Sequence, residues 1–222
     1  MILEKLYEQR FVLFFYSSVV ILFGSLLVPK RLFSEIVMPL MFVVNLSSGL
    51  IIFKNNKSES WLVRVMLLLV VGVFLIRNFS HVEHHILEYI RGSVYFVFYS
   101  LVSFQITSQV WYAKQVNNTV IYGLMSGYIS LGLIGFFICT IIELIHPGSF
   151  NGLSAGGLTP ENIDDLMYFS YVTLMTIGYG DIVPLSDIAQ KAAMFIGMLG
   201  QFYLVIITAV VVEKYIRYSE KD

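Results

Sequence analysis

The segment 176–181, Thr-Ile-Gly-Tyr-Gly-Asp, has residue types and a spacing suited to binding a bare cation. Gly178 and Gly180 stand at alternate positions, and glycine reaches positive φ values at little cost. Such values can turn successive backbone carbonyl groups toward one side of the chain. Four copies of the segment around one axis would then form stacked rings of oxygen atoms, which replace the water shell of an ion. Because one copy cannot surround an ion, the pattern predicts a closed assembly of four chains.

A short helix is expected to position this segment. Asn162 is a suitable helix N-cap, and Asp164 and Asp165 suit the first helical turn. Residues 166–175 are apolar but too few to cross a bilayer, which takes about 20 residues. The sequence therefore predicts a re-entrant helix whose negative C-terminal end points at segment 176–181 and favours a cation there.

The composition of the chain points to lipid as its main solvent. Its 222 residues are 57% hydrophobic and 13% charged, about half the charge of an ordinary soluble domain. The net charge of −1 gives no footprint for nucleic acid, which needs clustered Lys and Arg. No Ser/His/Asp or Cys/His set stands at a plausible spacing, so we predict that the chain is not an enzyme. Long apolar runs predict six membrane-spanning helices, at residues 11–28, 32–53, 61–76, 86–112, 119–145 and 187–216.

The predicted fold class is an all-α membrane protein with two parts. A polar joint at residues 114–118 separates a four-helix transmembrane domain, residues 1–113, from a pore domain, residues 114–222. The second part combines an outer helix, the re-entrant helix and an inner helix, and it assembles as a tetramer. An even number of spans puts both termini on one side, and a modest excess of Lys and Arg predicts that this side is cytoplasmic, in a plasma (inner) membrane.

The stretch Thr-Leu-Met-Thr-Ile-Gly-Tyr-Gly-Asp at positions 173–181, followed by Pro184, resembles the signature of the potassium channel family. The resemblance covers about residues 119–216 and is closest to the bacterial type with six transmembrane helices. It implies a homotetramer in a lipid bilayer that conducts K⁺ passively, with K⁺ in the filter and no organic cofactor. In that family, backbone carbonyls of the filter replace the hydration shell of K⁺. The implied ion-binding residues are Thr176, Ile177, Gly178, Tyr179 and Gly180.

The resemblance also implies residues that support the filter, and here the sequence departs from the family. Tyr168 and Phe169 stand where many members carry two tryptophans. Phe169 cannot donate a hydrogen bond to the Tyr179 hydroxyl, so Thr173 is the expected partner. The altered support leaves a weakly selective cation channel as an alternative function. The predicted support residues are Asp181, Tyr168, Phe169 and Thr173.

The inner helix carries a predicted hinge and gate. Gly200 lies 21 residues after Tyr179, where members of the family often place a hinge glycine, and Gly197 lies about one turn earlier. A bend at these glycines would open the inner end, although small residues also allow close helix packing in membranes. The predicted hinge and gate residues are Gly197, Gly200, Thr208, Val212 and Ile216.

The four N-terminal helices occupy the position of a voltage sensor but lack its charges. Moving one charge through 100 mV yields about 2.3 kcal/mol, so a sensor needs several arginines. The run 86–112 carries only Arg91, near its start. We therefore predict a pore that voltage gates weakly or not at all.

A histidine cluster precedes this fourth run. On a helix, His81, His84, His85 and Glu88 share one face. Such a face can bind zinc or respond to pH, which leaves open a second alternative function, a membrane subunit that senses a ligand, a metal or protons. A solvated outer loop is the simpler interpretation of the same residues.

Replacing Arg91 with Gln is expected to leave the conductance–voltage relation almost unmoved, because one charge near a helix end contributes little gating energy. Current through the wild-type and variant chains under voltage steps measures this. A large loss of steepness in the variant would contradict the prediction.

Overall fold

A computed structural model of the chain describes residues 7, 9–29, 32–53, 57–79, 84–113, 117–154 and 159–219. The described residues form seven α-helices, which make the chain mostly helical. A 3-10 turn, Gly24–Leu26, follows the first helix, and a π-helical turn, Phe33–Val37, precedes the second. The helices are α1 Arg10–Phe23, α2 Met38–Ile52, α3 Lys57–Phe79, α4 His84–Trp111, α5 Asn118–Ile145, α6 Pro160–Leu174 and α7 Asp187–Ser219.

Two of these helices are long and apolar enough to cross a membrane, α5 and the Asp187–Lys214 part of α7. Shorter apolar stretches lie at Arg10–Leu26, Met38–Ile52 and Ser60–Ile76. These helices support a membrane protein. Each of the six predicted runs coincides largely with a helix, and the third helix is longer than its predicted run. That all six cross a bilayer stays a prediction, as does the division at residue 114.

Two strands of two residues each flank segment 176–181 and α6. β1, Phe150–Asn151, pairs antiparallel with β2, Val183–Pro184, so that Phe150 lies opposite Pro184. β1 precedes α6, and β2 follows the segment. The short ladder therefore ties the chain before the helix to the chain after it.

An aromatic seam joins the N-terminal helices to α5. The ring of Phe137 on α5 stacks on Tyr95 and Tyr99 of α4, with centroids 5.2 and 5.9 Å apart. Phe42 of α2 packs on Tyr95 at 4.6 Å. Tyr95 and Tyr99 are buried together with Phe42 and Phe137, so one core runs through both halves of the chain.

A buried polar cluster fixes α1, α2 and α4 relative to one another. The Asn45 side chain, fully buried on α2, donates to the hydroxyls of Ser17 and Ser18 on α1, at 2.8 and 2.9 Å. Its carbonyl oxygen accepts from the Tyr99 hydroxyl of α4 at 2.9 Å. Buried polar groups of this kind are stable only when satisfied, so the cluster specifies one arrangement of the three helices.

Helix α6 starts differently from the prediction. Thr159, not Asn162, is the N-cap, and its hydroxyl accepts from the Asn162 backbone N–H at 3.2 Å. Pro160 takes the first helical position, where a missing N–H costs nothing. Asn162 lies inside the first turn and is fully buried. The helix therefore runs from Pro160 to Leu174, and the assignment of Asn162 as its cap was wrong.

Glycines on α5 let α6 approach closely. A Cβ atom at Gly132 would overlap the ring of Tyr171, and one at Gly135 would overlap the Ser170 hydroxyl. The same close approach forms two hydrogen bonds of 2.7 Å, from Ser170 to the Gly132 carbonyl and from Tyr171 to the Ile129 carbonyl. Side chains of α6 are thus anchored on the α5 backbone.

Candidate functional site

The segment that follows α6 alternates its backbone conformation. Gly178 and Gly180 have φ values of 58° and 84°, which confirms the positive values predicted for the two glycines. Thr176 has φ of 57°, and it is the only non-glycine residue with positive φ in the described part of the chain. A β-branched residue seldom adopts this conformation. Positive φ therefore recurs at every second residue, 176, 178 and 180.

The amide groups at the base of the segment are bound to the last turn of α6. Thr176 donates to the Thr173 carbonyl at 3.0 Å, and Ile177 and Gly178 both donate to the Val172 carbonyl, at 2.9 and 3.4 Å. Among the described residues, no backbone N–H donates to the carbonyls of residues 176–179. The first three amides of the segment are thus bound to α6, whereas the carbonyls of residues 176–179 accept no backbone hydrogen bond from the described residues.

Segment 176–181 is exposed, whereas α6, which precedes it, has buried apolar side chains. Leu166 and Leu174 of α6 are fully buried, whereas Ile177 and Tyr179 are 46% and 69% exposed. Every residue from 175 to 181 is exposed in a single chain. Segment 176–181 therefore lies on a surface that the chain itself does not cover.

Asp181 is held by a tyrosine of α6. The Tyr168 hydroxyl donates to the Asp181 carboxylate at 2.7 Å. This bond lowers the pKa of Asp181 below its ordinary value and raises the pKa of Tyr168 to about 12. Sequence reasoning placed both residues in the filter support but missed the pairing, because a tyrosine stands where the family has tryptophan. The signal in the sequence was the tyrosine hydroxyl of Tyr168, a hydrogen-bond donor thirteen residues before Asp181.

The loop that follows α5 is held by a buried carboxylate. Glu143, near the end of α5, accepts from the backbone N–H groups of Gly148 and Ser149 at 2.7 and 3.0 Å. The Ser149 carbonyl in turn accepts from Leu185 at 2.8 Å. α5, the loop and the chain after segment 176–181 are thereby connected through one side chain.

The remaining predicted support residues lie close by but do not form the expected bond within one chain. Phe169 is buried, and its ring meets Phe150 of β1 edge-on at 5.2 Å. Within the described residues of one chain, Thr173 makes no side-chain hydrogen bond to Tyr179. Their pairing stays a prediction for the assembled ring.

Gly200 is a point of close backbone contact. A Cβ atom there would overlap the carbonyl group of Leu174 at the end of α6, whereas one at Gly197 would lie no nearer than 3.9 Å to the Thr173 carbonyl. α7 continues through both positions as a single helix. This geometry favours close packing at Gly200, and the hinge stays a prediction.

The predicted gate residues follow one face of α7. Thr208 and Val212 are exposed in a single chain. The side chain of Ile216 lies outside the described part of the structure. Spaced four residues apart, the three positions lie near one another on the helix surface.

Sequence reasoning missed a contact at the inner end of α7. The Lys214 ammonium donates to the carbonyls of Val110, Trp111 and Ala113, at 2.8, 2.6 and 2.7 Å. Val110 and Trp111 end α4 and Ala113 follows it, and a cation is favoured at this end by the helix dipole. A lysine close to the end of an apolar run was the only signal in the sequence.

The histidine cluster lies outside the described residues. His81 is among the residues not described, and the same holds for the side chains of His84, His85 and Glu88. Where the structure does describe the chain, no three His, Cys, Asp or Glu side chains group as a metal site.

Comparison with known proteins finds a similarity in the C-terminal part of the chain. A family model described as an ion channel matches residues 155–217, which include all of α6 and most of α7. No curated protein and no solved structure matches the chain. The matched region contains α6, segment 176–181 and α7, and it supports an ion channel.

Replacing Gly200 with Ala is expected to lower the free energy of unfolding of the pore part, since the new methyl group overlaps the Leu174 carbonyl and overpacking costs about 1–3 kcal/mol. Gly197→Ala, one turn away, is the matched control, because a Cβ atom there makes only an ordinary contact with the Thr173 carbonyl at 3.9 Å. Thermal unfolding of purified protein in detergent measures both. Normal stability of the Gly200 variant, with only its open time changed, would favour the hinge instead.

Replacing Tyr168 with Phe is expected to raise the pKa of Asp181 toward its ordinary value of 3.8. A carboxyl group with a lowered pKa contributes stability that is fully present above its ordinary pKa and is lost as pH falls through the lowered value. The variant should therefore lose current at a higher external pH than the wild type. Current measured at stepwise lower external pH tests this, and superimposable titration curves would disprove it.

Proposed function

We propose that this chain is one subunit of a homotetrameric, potassium-selective channel that conducts K⁺ passively. The observation that carries the proposal is the state of segment 176–181. Positive φ recurs at every second residue, and the amides at its base are bound to α6 while its carbonyls stay uncommitted. Oxygen acceptors without donors are what a dehydrated cation requires.

In this proposal the ion-binding groups are the carbonyls of Thr176, Ile177, Gly178 and Tyr179. The Thr176 hydroxyl adds the innermost ring, and Gly180 gives the chain its final turn toward the outer mouth. Asp181 and Tyr168 hold that mouth through their hydrogen bond. The C-terminal end of α6 directs its negative dipole at the ion from below.

A ring of four chains explains why α7 is so exposed in a single copy. α5 is mostly buried, whereas α7 is mostly exposed. Large apolar side chains on α7, including Phe195 and Phe202, are at least half exposed. Neighbouring subunits and lipid would cover these side chains, and the remaining face would line the path of the ion.

The four N-terminal helices fit a pore with weak or no voltage gating. Arg91 is the only Arg or Lys of α4. The Tyr99 hydroxyl in the middle of α4 bonds to buried Asn45, so sliding of α4 would break a satisfied buried contact. We place both termini on the cytoplasmic side of a plasma (inner) membrane, and we expect no catalytic activity.

Reconstitution into liposomes tests the function directly. We expect the reversal potential in mixed K⁺ and Na⁺ to follow the K⁺ gradient and the purified particle to have the mass of four chains. Gly178→Ala should reduce K⁺ flux, because the left-handed conformation costs an L-residue about 1–2 kcal/mol. Gly72→Ala, at a helical site with open space, is the control and should leave flux unchanged.

The same recordings separate the alternatives. A reversal potential that ignores the difference between K⁺ and Na⁺ would favour a weakly selective cation channel, for which the replacement of tryptophan by Phe169 is the supporting observation. Absence of flux from well-folded tetramers would favour a subunit that senses a ligand, a metal or protons.

A further inference from the structure

One side chain of the inner helix reaches the base of segment 176–181. The Gln201 side-chain amide donates from Nε2 to Oγ1 of Thr176 at 3.3 Å. Gly200, directly before it, is buried against the Leu174 carbonyl. Because Gly200 has no side chain, α7 lies close to the end of α6, and this brings Gln201 to the threonine.

Gln201 is a polar side chain in an otherwise apolar part of α7. It lies in a stretch of α7, residues 192–207, whose only other hydrogen-bonding side chain is Tyr203. Tyr203 turns away and donates to the Leu124 carbonyl of α5 at 2.7 Å. A polar side chain in such a stretch tends to pair with another polar group, and here the partner is the Thr176 hydroxyl.

Thr176 is therefore held from two sides. Its amide donates to the Thr173 carbonyl of α6 at 3.0 Å, and its hydroxyl accepts from α7. Its φ of 57° is rare for a β-branched residue and persists only where the surroundings determine it. The second contact fixes the direction of the hydroxyl as well as the backbone.

The contact changes what the hydroxyl offers to an ion. A threonine hydroxyl has two acceptor lone pairs, and the Gln201 amide occupies one of them. The positive end of the amide dipole also lies beside the oxygen. Both effects weaken the attraction of this ring for a cation, and conduction needs sites weak enough for the ion to leave.

We propose that Gln201 is a positioning residue that sets the ion affinity of the innermost ring through the Thr176 hydroxyl. The inference rests on the proposed function, since it assigns a role within the same filter. The strength of a net hydrogen bond corresponds to about a fivefold change in affinity.

Barium ions applied from the inner side provide the readout, because Ba²⁺ is close to K⁺ in size and carries twice the charge. Gln201→Met keeps the length of the side chain and removes its donor, and we expect it to tighten Ba²⁺ block about fivefold. The reversal potential in K⁺ and Na⁺ should stay as in the wild type. Leu204→Met, also exposed on α7, is the control and should leave Ba²⁺ block unchanged.

A second pair of variants shows whether the effect passes through Thr176. In a Thr176→Ala background, Gln201→Met should cause no further change in Ba²⁺ affinity, since no hydroxyl is left to occupy. Calorimetric Ba²⁺ titration of purified tetramers gives this readout even for variants that do not conduct. Equal changes in both backgrounds, or no change in either, would overturn the proposal.

The two proposals fail in different ways. If the wild type does not distinguish K⁺ from Na⁺ but Gln201→Met still tightens Ba²⁺ block, potassium selectivity falls and the role of Gln201 stands. If the wild type selects K⁺ and Gln201→Met has the Ba²⁺ affinity of the wild type, the role of Gln201 falls and the channel stands.

Discussion

The structure depends on the hydrogen bonds between the base of segment 176–181 and the last turn of α6. Three consecutive amides, from Thr176 to Gly178, donate to the carbonyls of Val172 and Thr173. Each residue also carries a backbone acceptor, and the carbonyls of residues 176–179 accept no backbone hydrogen bond from the described residues. A strand paired with a neighbour would use both. The conformation of segment 176–181 therefore depends on where α6 ends, and the neighbouring helices fix that position.

Glycines on the two helices that pack against α6 allow close contact with it. On α5, Gly132 and Gly135 admit Tyr171 and Ser170, whose hydroxyls bond to the α5 backbone. On α7, Gly200 admits the Leu174 carbonyl itself. Small residues allow such backbone approach in helix packing where apolar burial alone gives little direction. α6 is thereby fixed along its length on α5 and at its end by α7, and the segment inherits that position.

The sequence was enough to predict what local rules decide. The helices follow from long apolar runs, and the positive φ of Gly178 and Gly180 follows from their spacing and from the absence of Cβ. Local rules argue against positive φ at Thr176, which only the two contacts from α6 and α7 explain. Pairs separated by many residues, such as Gln201 with Thr176, depend on how helices pack. The periodicity of a single sequence does not show which residues of different helices will be in contact.

The C-terminal end of α7 is held in a different way, by the charged side chain of Lys214. The last carbonyls of a helix have no partner within it, and those at the end of α4 are satisfied by the Lys214 ammonium. The end of α4 is in turn tied to α1 and α2, since Gln109 accepts from Arg10 and donates to the Ile52 carbonyl, both at 3.0 Å. Any movement of the inner end of α7 away from α4 breaks three charge-assisted bonds and exposes the carbonyls they cover. The Lys214 side chain therefore links the C-terminal end of α7 to the end of α4, in addition to the aromatic contacts that join α4 to α5.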